Sequence, residues 1–198
     1  MKQNTAIFLD RDGTINEEVG YLDSLDKLLI FPSAFEAIRL INQSNRKAII
    51  VTNQAGVARG LFGEGLVETV HAALREALCQ RGVLIDAFYY CPHHPTEGFP
   101  PYRQSCDCRK PAPGLFLRAA MDWNLDLSAS WMIGDRYNDI EAAHRAGARG
   151  VLVKTGYGAD ALAGAGPDGE TLAGKPDLIA DDILQARSEE HTSELQSP

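Results

Sequence analysis

The sequence predicts an α/β fold: a three-layer, doubly wound (Rossmann-like) parallel sheet with helices on both faces. Two observations support this prediction. Short apolar runs rich in β-branched residues alternate with segments of helical apolar spacing. Polar side chains follow several of these runs, and open parallel sheets place functional groups where strands end. With 198 residues, of which 44% are hydrophobic, the chain can bury one complete core, so we expect a single domain over residues 1–186.

The first half of the chain contributes three strands and two helices. Apolar runs predict strands over residues 5–10, 48–51 and 88–90. Helical spacing predicts helices over residues 32–44 and 65–81, with Gly82 as the stop signal of the second.

The second half continues the alternation and becomes irregular towards its end. We expect strands over residues 131–133 and 151–153, and helices over residues 114–124 and 137–146, which Pro113 starts and Gly147 ends. Residues 156–174 are rich in glycine, alanine and proline, which predicts a mobile loop before an edge segment near residues 178–180 and a helix from residue 182.

The last twelve residues look foreign. Residues 187–198 match the translation of a widely used sequencing-library adapter. We therefore expect a non-native tail without function, in place of the natural C-terminal segment. A natural polar tail is the alternative.

Charge narrows the range of partners. The formal net charge is -8, and the 19 basic residues form no long cluster, so neither nucleic acid nor a membrane surface is an expected partner. A small molecule fits better. The apolar run near the N-terminus is too short for a signal peptide, and we expect a cytoplasmic monomer.

Two carboxylates end the first predicted strand. Asp10 and Asp12 are followed by Gly13 and Thr14, which let the chain turn away. A carboxylate at this place can attack phosphorus as a covalent nucleophile, and its neighbour can pass a proton to the leaving oxygen. A surface turn is the alternative, because Asp-Gly is a common turn pair.

Three cysteines and a histidine crowd one predicted loop. In a reducing compartment such a cluster indicates a metal rather than a disulfide. Cys91, His93, Cys106 and Cys108 supply the four ligands that a closed tetrahedral zinc site needs. His94 competes with His93 as the nitrogen ligand, and two unrelated thiol turns are the alternative to a metal site.

Polar groups also follow the second strand and the cysteine loop. Thr52, Asn53 and Gln54 offer hydroxyl and amide groups that could hold a phosphoryl oxygen, although such residues also cap helices. Arg109 and Lys110 supply a guanidinium and an ammonium, both suited to phosphate. On an untethered loop they would be an ordinary solvated charge pair.

Two more carboxylates follow the fourth predicted strand. Asp135 and Asp139 could complete an oxygen site for magnesium, which prefers hard oxygen ligands, water and a substrate phosphate. The alternative for Asp139 is a cap on the helix that follows.

These motifs together resemble those of the haloacid dehalogenase superfamily of phosphotransferases, across nearly the whole chain to about residue 186. The resemblance implies that Asp10 is the nucleophile and that Asp12 is first a proton donor and then a base. It implies magnesium held by the Asp10 side chain, the Asp12 backbone carbonyl and Asp135, with Asp139 behind them. Thr52 and Lys110 would steady the phosphoryl group.

The cysteine loop narrows the resemblance to a zinc-containing subfamily of small-molecule phosphatases. Its members remove the 7-phosphate of a heptose 1,7-bisphosphate, in the synthesis of nucleotide-activated heptose for lipopolysaccharide, or hydrolyse histidinol phosphate. The longer loop of this chain favours the phosphorylated sugar. Histidinol phosphate is the alternative substrate, and a non-catalytic zinc-stabilised binding module is the alternative of another class. The implied substrate contacts are Glu18, Val19, Gly20, Tyr21, Asn53, Gln54, Arg109 and Arg136.

Two further expectations concern the site. The segments between the motifs, residues 13–47 and 53–109, are used up by a flap, helices, a strand and the zinc loop, so we expect no separate cap domain. The flap and the zinc loop must then select the substrate. As a proton donor Asp12 must carry a proton, and we expect neighbouring carboxylates, or desolvation on substrate binding, to raise its pKa.

Overall fold

A computed structural model describes residues 3–165 and 175–195, without the side chains of residues 191–195. Its strands are β1 (Ala6–Leu9), β2 (Lys47–Asn53), β3 (Ala87–Cys91), β4 (Trp131–Gly134), β5 (Arg149–Val153) and β6 (Leu178–Ala180). They form a six-stranded sheet in the order β3-β2-β1-β4-β5-β6, and every pairing is parallel. The order reverses direction beside β1, and this is where open α/β sheets bind ligands.

Helices cover both faces of the sheet. They are α1 (Pro32–Gln43), α2 (Glu64–Cys79), α3 (Gly114–Trp123), α4 (Tyr137–Ala146), α5 (Gly158–Leu162) and α6 (Ile183–Leu195). Strand β1 shows the division of the core, because Ile7 and Leu9 pack with α1, α2 and α6 while Phe8 packs with α3 and α4. The predicted three-layer parallel fold is therefore confirmed.

Each predicted strand and helix is present, with ends that differ by a few residues. The predicted mobile loop over residues 156–174 is wrong in its first part, because α5 forms there. Ala161 in this short helix is buried against Ile140 and Leu152, which gives the segment a place in the core. Residues 166–174 lie outside the described residues.

No cap domain interrupts the described part of the chain. Between β1 and β2 the structure has a flap (residues 18–21), a single 3-10 turn and α1. Between β2 and α3 it has α2, β3 and the predicted zinc loop (residues 91–108). In the described segments, no helix is long and apolar enough to cross a membrane.

The predicted foreign tail extends α6 instead of trailing from it. Arg187 and Glu190 are buried, and Glu190 forms ion pairs with both Arg46 and Arg187. The helix also packs along α1. The foreign origin of residues 187–198 stays a prediction, but their first residues do contribute to packing.

Deleting residues 187–198 should lower the free energy of unfolding by about 1–3 kcal/mol, because it removes the packing of the buried residues Arg187 and Glu190 and takes the Glu190 carboxylate away from Arg46. Urea unfolding measures this, with a truncation after Leu195 as the matched control. The rate of catalysis should not change, since α6 contributes nothing to the strand-end motifs. Equal stability of both truncated proteins and the full chain would contradict the packing role.

Candidate active site

The acidic motif after β1 and the acidic motif after β4 meet at the carboxyl ends of these two adjacent strands. Asp10 follows β1 and Asp135 follows β4, and these strands pair with Leu9 beside Ile133. The backbone N–H of Asp10 donates to the carbonyl oxygen of Ile133 at 3.0 Å, which continues the sheet by one residue. Both carboxyl groups are buried. The fold thus brings together two carboxylates that are far apart in the sequence.

The ammonium group of Lys110 lies between the carboxylates of Asp10 and Asp139. Its Nζ is 3.0 Å from Oδ1 of Asp10 and 2.5 Å from Oδ1 of Asp139, and it donates to the carbonyl oxygen of Val51 at 2.8 Å. Burial alone would lower the pKa of Lys110, but the two carboxylates outweigh burial and raise it. The side-chain amide of Asn53 brackets the Lys110 backbone with two hydrogen bonds of 3.0 Å. Lys110 is therefore a fixed, charged group.

Asp139 has two roles in the structure. One carboxylate oxygen engages Lys110, and the other accepts a hydrogen bond from the backbone N–H of Arg136 at 3.0 Å, at the start of α4. Gly134 makes room for it, because a Cβ there would lie 2.4 Å from Oδ2 of Asp139. Asp139 therefore fills both predicted roles: its Oδ2 caps α4, and its Oδ1 contacts Lys110 behind the site.

The carboxylates of Asp10, Asp135 and Asp139 are close enough together to bind a divalent cation. Ligand atoms of Asp10, Asp135 and Asp139 lie within 4.8 Å of one another. Burial raises the pKa of Asp10 to about 6 although Lys110 opposes the rise, and burial raises the pKa of Asp135 well above its ordinary value. Oδ2 of Asp135 accepts from the backbone N–H of Tyr157 at 2.8 Å, whereas its buried Oδ1 has no hydrogen-bond partner among the described residues. Buried negative charge with an open oxygen fits a magnesium ion.

Two glycines shape the surroundings of Asp135. A Cβ on Gly13 would lie 2.2 Å from Oδ2 of Asp135, and one on Gly156 would lie 2.1 Å from the same atom. Both glycines have positive φ. Thr155 ties the two loops together by donating to the carbonyl oxygen of Gly13 at 2.6 Å. The sequence reasoning missed residues 155–157, although their position after β5 was a signal that could have found them.

Arg11 surrounds the carboxylate of Asp12. Its Nε and Nη2 donate to the two oxygens of Asp12 at 3.1 and 2.7 Å. Asn16 and Gln54 donate to the same carboxylate at 2.9 and 3.0 Å. Burial alone would raise the pKa of Asp12, but the charge and the hydrogen bonds of Arg11 outweigh burial and lower it. The expected rise of this pKa through neighbouring carboxylates is therefore wrong, because the sequence did not reveal that Arg11 folds back on its neighbour. A rise through desolvation on substrate binding stays a prediction.

Thr52 and Gln54 belong to the same hydrogen-bond network. Gln54 Nε2 donates to Thr52 Oγ1 at 2.9 Å, and Gln54 Oε1 accepts from Arg11 Nη2 at 3.1 Å. Because its amide is engaged with Thr52, Arg11 and Asp12, Gln54 orients these groups. Its predicted substrate contact stays a prediction, as does that of Asn53, whose amide holds Lys110.

The predicted zinc ligands form one cluster. The three Sγ atoms of Cys91, Cys106 and Cys108 lie 3.1–3.5 Å apart, and His93 Nδ1 lies 3.4 Å from Cys108 Sγ. His94 instead accepts a backbone hydrogen bond from Glu97 at 2.9 Å with its Nδ1. The structure thus favours His93 over His94, and the four-atom donor set suits a tetrahedral zinc ion.

A cleft opens above these groups. The flap residues Glu18, Gly20 and Tyr21 line it, while Val19 is exposed outside it. Arg109 and Arg136 also line the cleft, and Arg109 Nη1 donates to the backbone carbonyl of His93 at 3.3 Å, which ties the arginine to the zinc loop. The lining also includes residues that the sequence reasoning missed: Leu22, Ala55, Gly56, Arg59, Phe62, Asn138 and Tyr157.

A doubly wound parallel sheet without a cap, with paired acids after β1, a buried lysine and a further carboxylate after β4, defines a phosphatase of the haloacid dehalogenase superfamily. The family model for HAD-hydrolase-like proteins matches residues 107–186. Over 156 residues the chain is 44% identical to the D-glycero-beta-D-manno-heptose-1,7-bisphosphate 7-phosphatase of Escherichia coli O6:H1, covering 78% of this chain and 82% of that protein. The chain belongs to this phosphatase family, whose members are phosphoric monoester hydrolases.

Two further comparisons cover nearly the whole chain. The D-glycero-D-manno-heptose-1,7-bisphosphate 7-phosphatase of Chlorobaculum tepidum is 38% identical over a 192-residue alignment that covers 94% of this chain and 94% of that protein. The crystal structure of the D,D-heptose 1,7-bisphosphate phosphatase from B. bronchiseptica, complexed with magnesium and phosphate, superposes with a TM-score of 0.80 at 32% identity. The superposition covers 96% of this chain and 99% of the chain from B. bronchiseptica.

Gly156→Ala should displace Asp135, because the new methyl group has no room beside the carboxylate. We expect a loss of about 1–3 kcal/mol in the free energy of unfolding together with a loss of phosphatase activity. Gly164→Ala is the matched control, since Gly164 also has a positive φ but open space around it, so it reports the backbone cost alone. If both variants retained full activity, the packing role of Gly156 would be refuted.

Proposed function

We propose that the protein removes the 7-phosphate of D-glycero-D-manno-heptose 1,7-bisphosphate through an aspartyl-phosphate intermediate on Asp10. The observation that carries this proposal is the convergence of Asp10, Lys110 and Asp135 at the switch point of the sheet. The names of the relatives supply the substrate. The reaction would serve the synthesis of nucleotide-activated heptose for lipopolysaccharide.

The first chemical step transfers the phosphoryl group to the protein. The Asp10 carboxylate attacks phosphorus, the bond between phosphorus and the C7 oxygen breaks, and a proton from Asp12 goes to that oxygen. Lys110 and Thr52 would contact the phosphoryl oxygens as negative charge spreads over them. Since Arg11 keeps Asp12 ionised in the structure, Asp12 must acquire its proton before this step.

The second step releases inorganic phosphate. A water molecule attacks the phosphorus, Asp12 takes its proton, and the bond between phosphorus and the Asp10 oxygen breaks. The ionised Asp12 that Arg11 stabilises is already the base that this step needs. A magnesium ion held by Asp10, the Asp12 backbone carbonyl and Asp135 would neutralise charge on the phosphoryl oxygens. Asp139, with both oxygens engaged, would act by orienting Lys110.

The charge of the cleft walls supports a bisphosphate. Arg59, Arg109 and Arg136 line the cleft in addition to Lys110. Guanidinium groups suit a second phosphate and sugar hydroxyls. Histidinol phosphate would instead bring an imidazole and an ammonium group, which favour acidic or aromatic surroundings. The arginines therefore support a substrate with a second phosphate. The same lining also contains Glu18, Tyr21 and Phe62, which would suit histidinol, so the choice of substrate rests on the assay below.

The function is tested by phosphate release with magnesium from the heptose bisphosphate, histidinol phosphate and an aryl phosphate. We expect kcat/KM for the bisphosphate to exceed that for histidinol phosphate by about tenfold or more, which needs only about 1.4 kcal/mol of remote contacts. Phosphorus NMR should show loss of the 7-phosphate. Asp10→Asn, the control, should lose several orders of magnitude in rate. A preference for histidinol phosphate would reassign the substrate, and no release from any compound would indicate a non-catalytic module.

Protein purified without chelators should contain one zinc ion per chain, bound by the cysteine cluster. Cys106→Ser should remove zinc, loosen Arg109 and raise KM, while the sheet stays folded because its strands bury their own apolar surface. Cys79→Ser changes a thiol outside the cluster and serves as the control. Elemental analysis and steady-state kinetics give the result, and wild-type protein without zinc would refute the expectation.

A further inference from the structure

A buried histidine stands behind the acidic pair. His71 lies on α2, is buried, and does not line the cleft. Its ring packs against the rings of Phe88 and Tyr90, with centroid distances of 4.8 and 5.7 Å. None of the sequence motifs includes it, and the reaction steps above do not use it.

His71 contacts Arg11 through one ring nitrogen. Its Nε2 is 3.3 Å from Nη1 of Arg11. A guanidinium group can only donate, so Nε2 must accept and the ring proton must be on Nδ1. Burial, followed by the charge of Arg11, lowers the pKa of His71 to about 3, which keeps the ring neutral and able to accept.

Arg11 is held on several sides. Only 1% of the residue is exposed. Besides His71, its guanidinium binds both oxygens of Asp12 and the Oε1 of Gln54. Losing the acceptor of His71 would leave one N–H of a buried cation without that bond. Such a donor is costly to bury unpaired, so the guanidinium would shift and Asp12 would shift with it.

We propose that His71 is a positioning residue, which acts through Arg11 to fix the carboxylate of Asp12 where it transfers protons. The inference rests on the proposed function, in which Asp12 is the acid and the base. Packing alone does not explain the residue. An apolar ring would fill the space beside Phe88 and Tyr90 equally well, but it would not accept from Arg11.

Two substitutions separate the acceptor from the ring. His71→Phe keeps the ring and removes the acceptor, whereas His71→Gln places an amide oxygen near the former Nε2. With the heptose bisphosphate, for which both steps need Asp12, we expect His71→Phe to lower kcat about tenfold or more with little change in KM. A displacement of about 1 Å can cost about 10²-fold in rate. His71→Gln should restore most of the loss. His71→Asn, too short to reach Arg11, replaces the Phe variant if that protein does not fold.

The time course with p-nitrophenyl phosphate gives a readout that instability cannot imitate. p-Nitrophenolate leaves without a proton, so the first step does not need Asp12, whereas hydrolysis of the phosphoenzyme does. His71→Phe should therefore release one p-nitrophenol per active site in a burst, followed by slow turnover. Leu74→Ala, a core change on the same helix, is the control that should destabilise the fold without a burst.

The outcomes distinguish the two proposals. A wild-type rate and no burst in His71→Phe, or equal impairment of the Phe and Gln variants, would overturn the positioning role while leaving the proposed function intact. A burst of the same size in Leu74→Ala would also overturn it. Wild-type protein that releases no phosphate from any substrate would overturn the proposed function and this inference with it.

Discussion

The rest of the site depends on the buried ion pairs that the ammonium group of Lys110 forms with Asp10 and Asp139. Asp10 and Asp139 are buried carboxylates, and two such charges about 4 Å apart repel by about 4 kcal/mol at an effective dielectric constant of about 20. The ammonium group between them offsets this repulsion and also binds the end of β2 through the carbonyl oxygen of Val51. The end of β2, the start of α4 and the Asp10 carboxylate are therefore all held by the same ammonium group.

Lys110 also links the two candidate metal sites. Lys110 comes two residues after Cys108, so the cysteine cluster sets the course of the chain just before the lysine. The amide of Asn53 fixes the lysine backbone from the other side. In the proposed function the zinc loop has two tasks, since it forms a wall of the cleft in place of a cap and delivers Arg109 and Lys110 to the substrate.

The sequence predicted those parts that depend on local patterns. Apolar runs located the strands. Because the carboxyl ends of parallel strands meet at one edge, the motifs at residues 10, 52, 110 and 135 could be grouped from the sequence alone. The spacing of the cysteines predicted their cluster. Each of these signals is carried by a short stretch of the sequence, so it can be recognised without knowledge of the fold.

The parts that escaped prediction depend on side-chain direction across the fold. His71 and Arg11 are 60 positions apart, and nothing in either neighbourhood indicates their contact. The pKa of Asp12 was expected to rise because its neighbouring acids were visible, whereas the orientation of the guanidinium was not. The choice of His93 over His94 depends on a backbone hydrogen bond within the loop.

The order of the strands separates Asp10, the proposed nucleophile, from the residues around it that come late in the chain. Asp10 emerges early in synthesis, but the loop that buttresses Asp135 extends to Tyr157. At about 5–20 residues per second, a ribosome needs on the order of 10 s to cover that interval. In the proposed function, the nascent chain then carries the attacking carboxylate before the residues that complete its cation site have been made. The growing polypeptide would therefore stay inactive towards phosphate esters until Tyr157 has joined the fold.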